Sequence, residues 1–502
     1  MEHRSVWLAT IDQPSYPSLE TDLDVDLVVV GGGVTGLTTA LMARREGHRV
    51  AVLEARTVGA GTTGKTTGKV SSQHSAIYDT LVSRHGGEKA RQYAEANQAG
   101  VHQVARLVDE LGIDCDLTWA PSYVYTQEPG RRSKIVDEFK AAERLRLPAR
   151  LVYSTELPFP VQAAVVFDDQ IHLHAGRYVQ GLARGVTEAG GELFENTRVT
   201  DIDEKQDGVE VSTAGGTVRA QHVVVATLLP IRYAGAYFAK TRPTRSYGIA
   251  LRLRDEAPTG MGITIDSPTR SNRPWLDPGP GGLVIAGNGH ETGTKQDTAA
   301  AYRDLEDWAR STFDVEAVDY RWSSQDFTTP DQIPYVGRAQ LTSRTLVATG
   351  FAKWGLSNGT AAAMMLTDIV AERESPWLSA FDATRIGGPR TVAGLVKDNL
   401  KVGKEFVAGH LGRLKASSVE HLAAGEGGVV EVGGHSVGAY RDPAQQVHAV
   451  SITCTHMGCR LNWNNGDTSW DCPCHGSRFD VDGSILDGPA VTPLKQIAVD
   501  ES

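Results

Sequence analysis

The run Asp26-Leu-Val-Val-Val30, then Gly31-Gly-Gly33-Val-Thr-Gly36, then a helical pattern over Leu37 to Glu46 and a second apolar run from His48 to Glu54, decides the fold. Strand, glycine turn, helix and strand in that order make one βαβ unit, the shortest arrangement that yields parallel strands. The glycines have separate duties. Gly31 permits the tight turn, Gly33 lets a pyrophosphate approach the backbone, and Gly36 allows close helix–strand packing. The helix N-terminus would meet the phosphates. Glu54, about twenty residues on, is placed to accept hydrogen bonds from a ribose. A dinucleotide site is therefore expected here.

Outward from this unit, Ala94, Val101, Val104, Leu107, Val108 and Leu111 recur near the helical period and predict a long helix over 85–112. Residues 174–190 predict another. Segments 150–168, 208–226 and 243–253 alternate β-formers and predict a second, partly antiparallel sheet inserted into the first fold. At Leu346-Val-Ala-Thr-Gly350 the strand and glycine turn return, with a helix expected over 360–372. A sheet built from both ends of a segment must close by about residue 385, and Gly387-Gly-Pro389 marks the boundary. Residues 386–416 are then a linker, in which 391–414 have the spacing of an amphipathic helix whose basic character Asp398 and Glu405 interrupt. Residues 417–502, dense in Gly, Val, Asp and turn residues, predict a small all-β domain. Residues 1–24, with Pro14 and Pro17, read as a polar leader of no clear period.

A chain of 502 residues exceeds one ordinary domain, and 40% hydrophobic content is that of a globular protein. A net charge of −11 argues against nucleic acid as a partner. No apolar stretch reaches bilayer length, and the N-terminus lacks the basic-then-apolar order of a signal peptide. A cytoplasmic enzyme is expected, with peripheral membrane contact left open.

Of five cysteines, Cys454, Cys459, Cys472 and Cys474 fall within about twenty residues, whereas a secreted disulfide scaffold would spread them. Such crowding points to a metal site. Cys115 stands alone and reads as a buried small hydrophobe. The two boxes are Cys454-Thr-His456-Met-Gly-Cys459 and Cys472-Pro-Cys474-His475-Gly-Ser477. Each offers a cysteine and a histidine on a tight loop, with one further cysteine. A zinc knuckle prefers cysteine pairs and four ligands; a [2Fe–2S] cluster in which two histidines replace two cysteines on one iron suits these boxes better. The replacement removes negative charge, so the reduction potential rises.

The boxes resemble those of Rieske domains, specifically the disulfide-containing kind of cytochrome bc complexes. That resemblance implies Cys454 and Cys472 on one iron, His456 and His475 on the other, and a Cys459–Cys474 disulfide. It also implies that Gly488-Pro489-Ala490 covers the cluster and that Ser477 hydrogen-bonds a bridging sulfide. Phe479 stands where that family often has a tyrosine, so a potential below that of the respiratory members is expected.

The first glycine motif does not choose between FAD and NAD. The later stretch Thr349-Gly350-Phe-Ala-Lys353-Trp354-Gly355-Leu356-Ser357-Asn-Gly359 runs into an alanine-rich helix, whose N-terminus would stabilise negative charge on reduced flavin. With Thr329-Pro330-Asp331-Gln-Ile-Pro334 upstream, it resembles the D-amino-acid oxidase superfamily of FAD enzymes over about residues 25–380. The implied fold is an α/β, Rossmann-like FAD-binding domain over 25–385, its FAD segments near 25–75 and 325–385. A largely antiparallel substrate domain, mainly 150–325, is inserted into it, and an all-β Rieske domain follows. Gly350, Trp354, Gly355, Leu356 and Ser357 join Gly31, Gly33, Gly36 and Glu54 as FAD-binding candidates. One departure is Leu228, where a glycine is usual after the strand beginning at His222.

Gly59-Ala-Gly-Thr-Thr-Gly64-Lys65-Thr66 fits the P-loop pattern, but it trails its strand and Thr67-Gly-Lys-Val-Ser-Ser starts a helix poorly. In the resembled family this loop runs beside the FAD, which implies Thr63, Gly64, Lys65 and Thr66 at the pyrophosphate. The resembled family oxidises C–N bonds of amines and amino acids by hydride transfer to flavin, without a fixed acid–base residue, so the catalytic residue is unknown. Candidates are Arg245 and Tyr247, on a strand where related enzymes bind a substrate carboxylate, His74 after the flavin loop, and Lys353 in the flavin turn. Their bland alternatives are a surface ion pair, a structural histidine and a solvated lysine.

Together the two resemblances imply that a small amine or amino acid reduces FAD and that electrons pass singly to the Rieske cluster. An external acceptor, a quinone, cytochrome or small electron carrier, then takes them. The alternative is a flavin amine oxidase whose Rieske domain senses redox state or docks a partner.

Overall fold

The computed structural model describes residues 1–231, 235–386, 399 and 418–499. The expected amphipathic helix at 391–414 falls outside them, except for Asn399.

Leu27–Val30, Val50–Leu53, Glu192–Phe194, His222–Val225 and Thr345–Thr349 form a parallel sheet, edged by the antiparallel strand Tyr335–Arg338. Leu27–Val30 and Val50–Leu53 are buried on both faces, as unbroken apolar runs require. The helices Val34–Arg45 and Gly355–Val370 lie against each other, so both ends of the long segment meet in one layer as expected. The helix Tyr78–Glu110 packs on Gly355–Val370 where Gly100 leaves room: a Cβ there would stand 2.7 Å from the Ser357 carbonyl oxygen.

The second sheet differs from its expected extent. It runs through nine strands from Lys69–Val70 to Val315–Thr328, including Thr118–Thr126, Ala163–His172, Arg242–Leu253 and Gly282–Glu291. The alternating segment 208–226 is not part of it. Val209–Thr213 and Thr217–Ala220 belong to a separate small sheet, and His222–Val225 joins the parallel one. Alternation reports a half-buried strand and not which neighbour it takes.

The first 24 residues contribute to the fold. Val6 and Trp7 are fully buried in the main core, Trp7 Nε1 donates to the Thr66 carbonyl at 2.6 Å, and Leu23–Asp24 pairs with Thr217–Ala220. Burial of one indole outweighs a polar average over the segment.

The C-terminal domain has two antiparallel sheets, Gly427–Val432, His435–Arg441 and Val447–Val450 in one, and Asn462–Asn464, Ser469–Asp471, Arg478–Phe479 and Ile485–Asp487 in the other. No helix among the described residues is long and apolar enough to cross a membrane.

Candidate functional site

One cavity of about 840 Å³ collects most of the expected cofactor residues. Gly31, Gly33, Glu54, Thr63, Lys65 and Thr66 line one part, and Trp354, Gly355 and Leu356 another. Gly31 has φ 115, and a Cβ on it would lie 2.6 Å from the Ala226 carbonyl oxygen. Gly36 does not line the cavity; a Cβ there would stand 2.0 Å from the Gly31 carbonyl oxygen, so its role is close packing under the turn. Gly64, Gly350 and Ser357 do not line it either; a Cβ on Gly64 would stand 2.2 Å from the Gly59 carbonyl oxygen, and one on Gly350 2.5 Å from Thr329 Cγ2. Leu228 adopts φ 68, the left-handed conformation for which the usual glycine is suited.

Glu54 accepts from the Gly32 amide at 2.7 Å and, through its other oxygen, from the Arg56 amide at 2.9 Å, so it shapes the loop as well as the cavity. Thr63 caps the glycine motif: its hydroxyl accepts from Val34 N at 3.2 Å. The P-loop-like stretch forms only the short 3-10 turn Thr63–Lys65 and then enters strand Lys69–Val70, as its poor helix signal predicts. Burial lowers the Lys65 pKa to about 8, against the opposing pull of Asp487 from the C-terminal domain.

The catalytic candidates separate. Tyr247 lines the cavity, its hydroxyl 2.9 Å from His290 Nε2. Lys353 lines it too and donates from Nζ to Ser246 Oγ at 2.6 Å, while its backbone amide donates to Asp326 at 2.5 Å. Burial raises Asp326 to about 6 despite the amides of Phe327 and Lys353. His74 stands behind the wall. It stacks on Trp354 at 4.9 Å, hydrogen-bonds Tyr93 and Ser357, and burial lowers its pKa to about 3, which favours the neutral ring. Arg245 is not in the cavity at all. It is 1% exposed and pairs with Asp467 of the C-terminal domain at 2.7 Å, an ion pair between the domains.

The two cysteine boxes fold alike, for a local reason. Cys454 N donates to the Cys459 carbonyl and Gly458 N to the Cys454 carbonyl. In the second box Cys472 N donates to the Ser477 carbonyl and Gly476 N to the Cys472 carbonyl. Gly458 and Gly476 both take φ 76, so each loop needs its glycine at the fifth position. Cys459 and Cys474 are joined by a disulfide, and Cys454 and Cys472 remain free and buried. The sulfurs of Cys459, Cys472 and Cys474 lie within 4.8 Å of one another. Two of those three are bonded together, however, so the open donors are Cys472 and Cys454.

The free thiols hydrogen-bond each other. That bond lowers Cys454 to about 7 and raises Cys472 well above the ordinary thiol value, so one proton of the pair leaves readily and the second is held. The imidazoles of His456 and His475 sit 5.1 Å apart, and His475 Nδ1 is buried without a partner. An orphaned ring nitrogen beside two paired thiols fits a two-iron cluster well. Ser477 Oγ bonds the Cys454 thiol and accepts from Ala490 N at 3.1 Å, which pins the Gly488–Ala490 loop. Phe479 is fully buried and carries no hydroxyl to add a further bond.

The two sites meet. Leu486, Asp487, Gly488, Ala490 and Val491 of the C-terminal domain line the same cavity as the Gly31–Gly33 turn and Trp354. Phe238 packs edge-on against both histidines, with ring centroids 5.3 Å from His456 and 5.0 Å from His475. Gln325 Nε2 donates to the Gly476 carbonyl at 2.8 Å. Asp467 reaches across to accept from Arg245, Ser323 and Tyr302, with Arg478 of its own domain at 3.3 Å. Sequence reasoning missed Lys69, Asp326, His290 and Asp467 as members of these sites. No motif surrounds them, and only their neighbours in space give them a role.

Residues 26–369 match the FAD dependent oxidoreductase family (DAO), and residues 413–498 match the Rieske [2Fe-2S] domain. The chain is 35% identical over 496 residues, 98% of its own length and 97% of the relative's, to the Rieske 2Fe-2S iron-sulfur protein YhfW of Bacillus subtilis (strain 168). It is 53% identical over 47 residues, 9% of this chain and 26% of the relative, to the cytochrome b6-f complex iron-sulfur subunit 1 of a Synechocystis species. The fold is similar to that of glycine oxidase from Geobacillus kaustophilus, with TM-score 0.61, 20% identity, and coverage of 73% of this chain and 100% of that one. The chain therefore belongs to the DAO family of FAD-dependent oxidoreductases and carries a C-terminal Rieske domain, with FAD and a [2Fe–2S] cluster as its cofactors.

Proposed function

We propose that this chain dehydrogenates a small amine or amino acid at its C–N bond, in the cytoplasm, and delivers the electrons through its own Rieske centre to an external acceptor. A quinone, a cytochrome or a small electron carrier would suit that role. The observation that carries this reading is the shared wall. The loop that Ser477 ties over the cluster residues, through Ala490, also lines the cavity of the glycine motif. A separable sensor module has no need to complete that cavity, so the wall favours transfer over sensing.

FAD, when bound, accepts a hydride, and the cluster exchanges electrons one at a time. The chain's residues do the rest. Gly31, Gly33 and the N-terminus of helix Val34–Arg45 would hold the pyrophosphate, with Thr63, Lys65 and Thr66 on the facing loop. Trp354, Gly355 and Leu356 begin helix Gly355–Val370, whose N-terminal dipole favours negative charge in the cavity. Neutral His74 braces Trp354 from behind. Cys454, Cys472, His456 and His475 would hold the cluster, and the disulfide ties their two loops together.

The test is anaerobic addition of amines and amino acids, one at a time, to the purified holoprotein. A substrate should bleach the flavin and then bring up the EPR signal of the reduced cluster. Full bleaching with a cluster that stays oxidised would end this reading.

A further inference from the structure

The flavin cavity takes part of its wall from the other domain, through residues 485–491. The chain reaches them directly from the cluster: the second cysteine box ends at Ser477, the strand Arg478–Phe479 follows, and Ile485–Asp487 pairs with it. Ser477 Oγ accepts from Ala490 N and so ties the far end of the segment back to the box. Residues of the flavin domain that line the same cavity meet this segment. Arg198 donates from Nη2 to the Ile485 carbonyl in a long bond of 3.5 Å, and a Cβ on Gly488 would stand 4.0 Å from Ile231 Cγ2. Lys65 makes no hydrogen bond or ion pair through Nζ among the described residues, and the charge that opposes the cost of its burial is Asp487. Asp487 is no bare charge in the wall, since Arg478 holds it at 2.8 Å. Leu486 and Val491, both half-buried, add apolar surface to the cavity. Water meets that surface when the cavity is empty, and a bound cofactor would cover it.

We propose that the FAD site is shared between the domains: residues 485–491 are part of the cofactor's binding wall, so that FAD and the docked Rieske domain hold each other in place. FAD has the surfaces of both domains to cover only while they are docked, and its binding favours the docked arrangement. The preference is reciprocal, so whatever docking adds to FAD affinity, FAD adds to docking. The cofactor is then also a clasp between the two redox domains, and it leaves quickly only when they part. None of this depends on which molecule reduces the flavin, only on FAD as the occupant of the cavity.

FAD binding and release, read from flavin fluorescence of the purified chain, test this in the native protein, Leu486→Ala/Val491→Ala, Asp467→Asn and Asp467→Asn/Arg245→Met. The alanine pair strips apolar wall and should weaken FAD binding about tenfold or more with the cluster still in place. Asp467 does not line the cavity, so Asp467→Asn acts on FAD through docking. It should release FAD about tenfold faster or more, and the double variant should return to within about threefold of native. The reciprocal half needs no substitution. Saturating FAD should move the loss of the cluster's visible circular dichroism to higher denaturant in the native chain, and the flavin-free chain should lose it earlier. Should the alanine variant lose its cluster, Asp467→Asn and the native titration still decide. A cluster transition that ignores FAD, or FAD affinity and release unchanged in the alanine variant and Asp467→Asn alike, would overturn the assignment. Failure of the functional reading looks different: a flavin that no amine or amino acid bleaches, however tightly FAD is held.

Discussion

Replacing Asp467 by asparagine should uncouple the two halves of the molecule. Asp467 leaves the C-terminal domain to sit against the substrate sheet, where its side chain is 7% exposed and that of Arg245 only 2%. Burial alone would raise its pKa, but Arg245 and Arg478 hold it well below the ordinary carboxylate value. Asp467→Asn keeps the shape and removes the charge. Arg478 still has Asp471 and Asp487 at 2.8 Å each, whereas Arg245, whose second terminal nitrogen already lacks a partner, is stranded. Removing one member of a buried pair costs about 3–5 kcal/mol. At about 1.4 kcal/mol per factor of ten, docking weakens between about 100-fold and several thousand-fold. Chemical denaturation followed by visible circular dichroism of flavin and cluster separately is the assay. Native protein should lose both signals in one transition, Asp467→Asn should split them, and Asp467→Asn/Arg245→Met should bring them back together, because no charge is stranded. Coincident transitions in Asp467→Asn, or a double variant no better than the single one, would refute the reasoning.

Three other consequences can be measured. Ser477→Ala removes a hydroxyl that bonds the Cys454 thiol. A hydrogen bond to a charged sulfur is worth about 1.5 kcal/mol, which for one electron lowers the cluster potential by about 60 mV; a potentiometric titration that finds no change contradicts the assigned contact. Gly36→Ala puts a methyl 2.0 Å from the Gly31 carbonyl oxygen and should yield protein with little flavin per chain, its turn displaced. Asp467 and Asp487 have folded pKa values below their ordinary 3.8, so the stability they confer is present above that value and lost as pH falls through the folded ones. Docking should therefore weaken as the solution is acidified below about pH 4, seen as separation of the flavin and cluster signals. Joint persistence of both to lower pH would count against the interface.

What could be read from the amino acids alone is whatever a few consecutive residues settle among themselves. The Gly31–Gly36 turn, the helix after it and the two cysteine loops with Gly458 and Gly476 are held by bonds within a handful of positions, and there the spacing of residue types is the structure. Helix ends were also local, though Val34–Arg45 begins inside the glycine motif and Gly355–Val370 several residues before the expected start. Partners across the molecule were not readable. Arg245 and Asp467 lie 222 positions apart, and the period of a strand tells which face a side chain takes but not which strand or domain covers it. Trp7 in the core, Lys69 in the cavity wall and the cluster loop beside the glycine motif came from tertiary structure alone. Each depends on which buried surfaces meet, and hydrophobic burial that brings surfaces together has no direction along the chain.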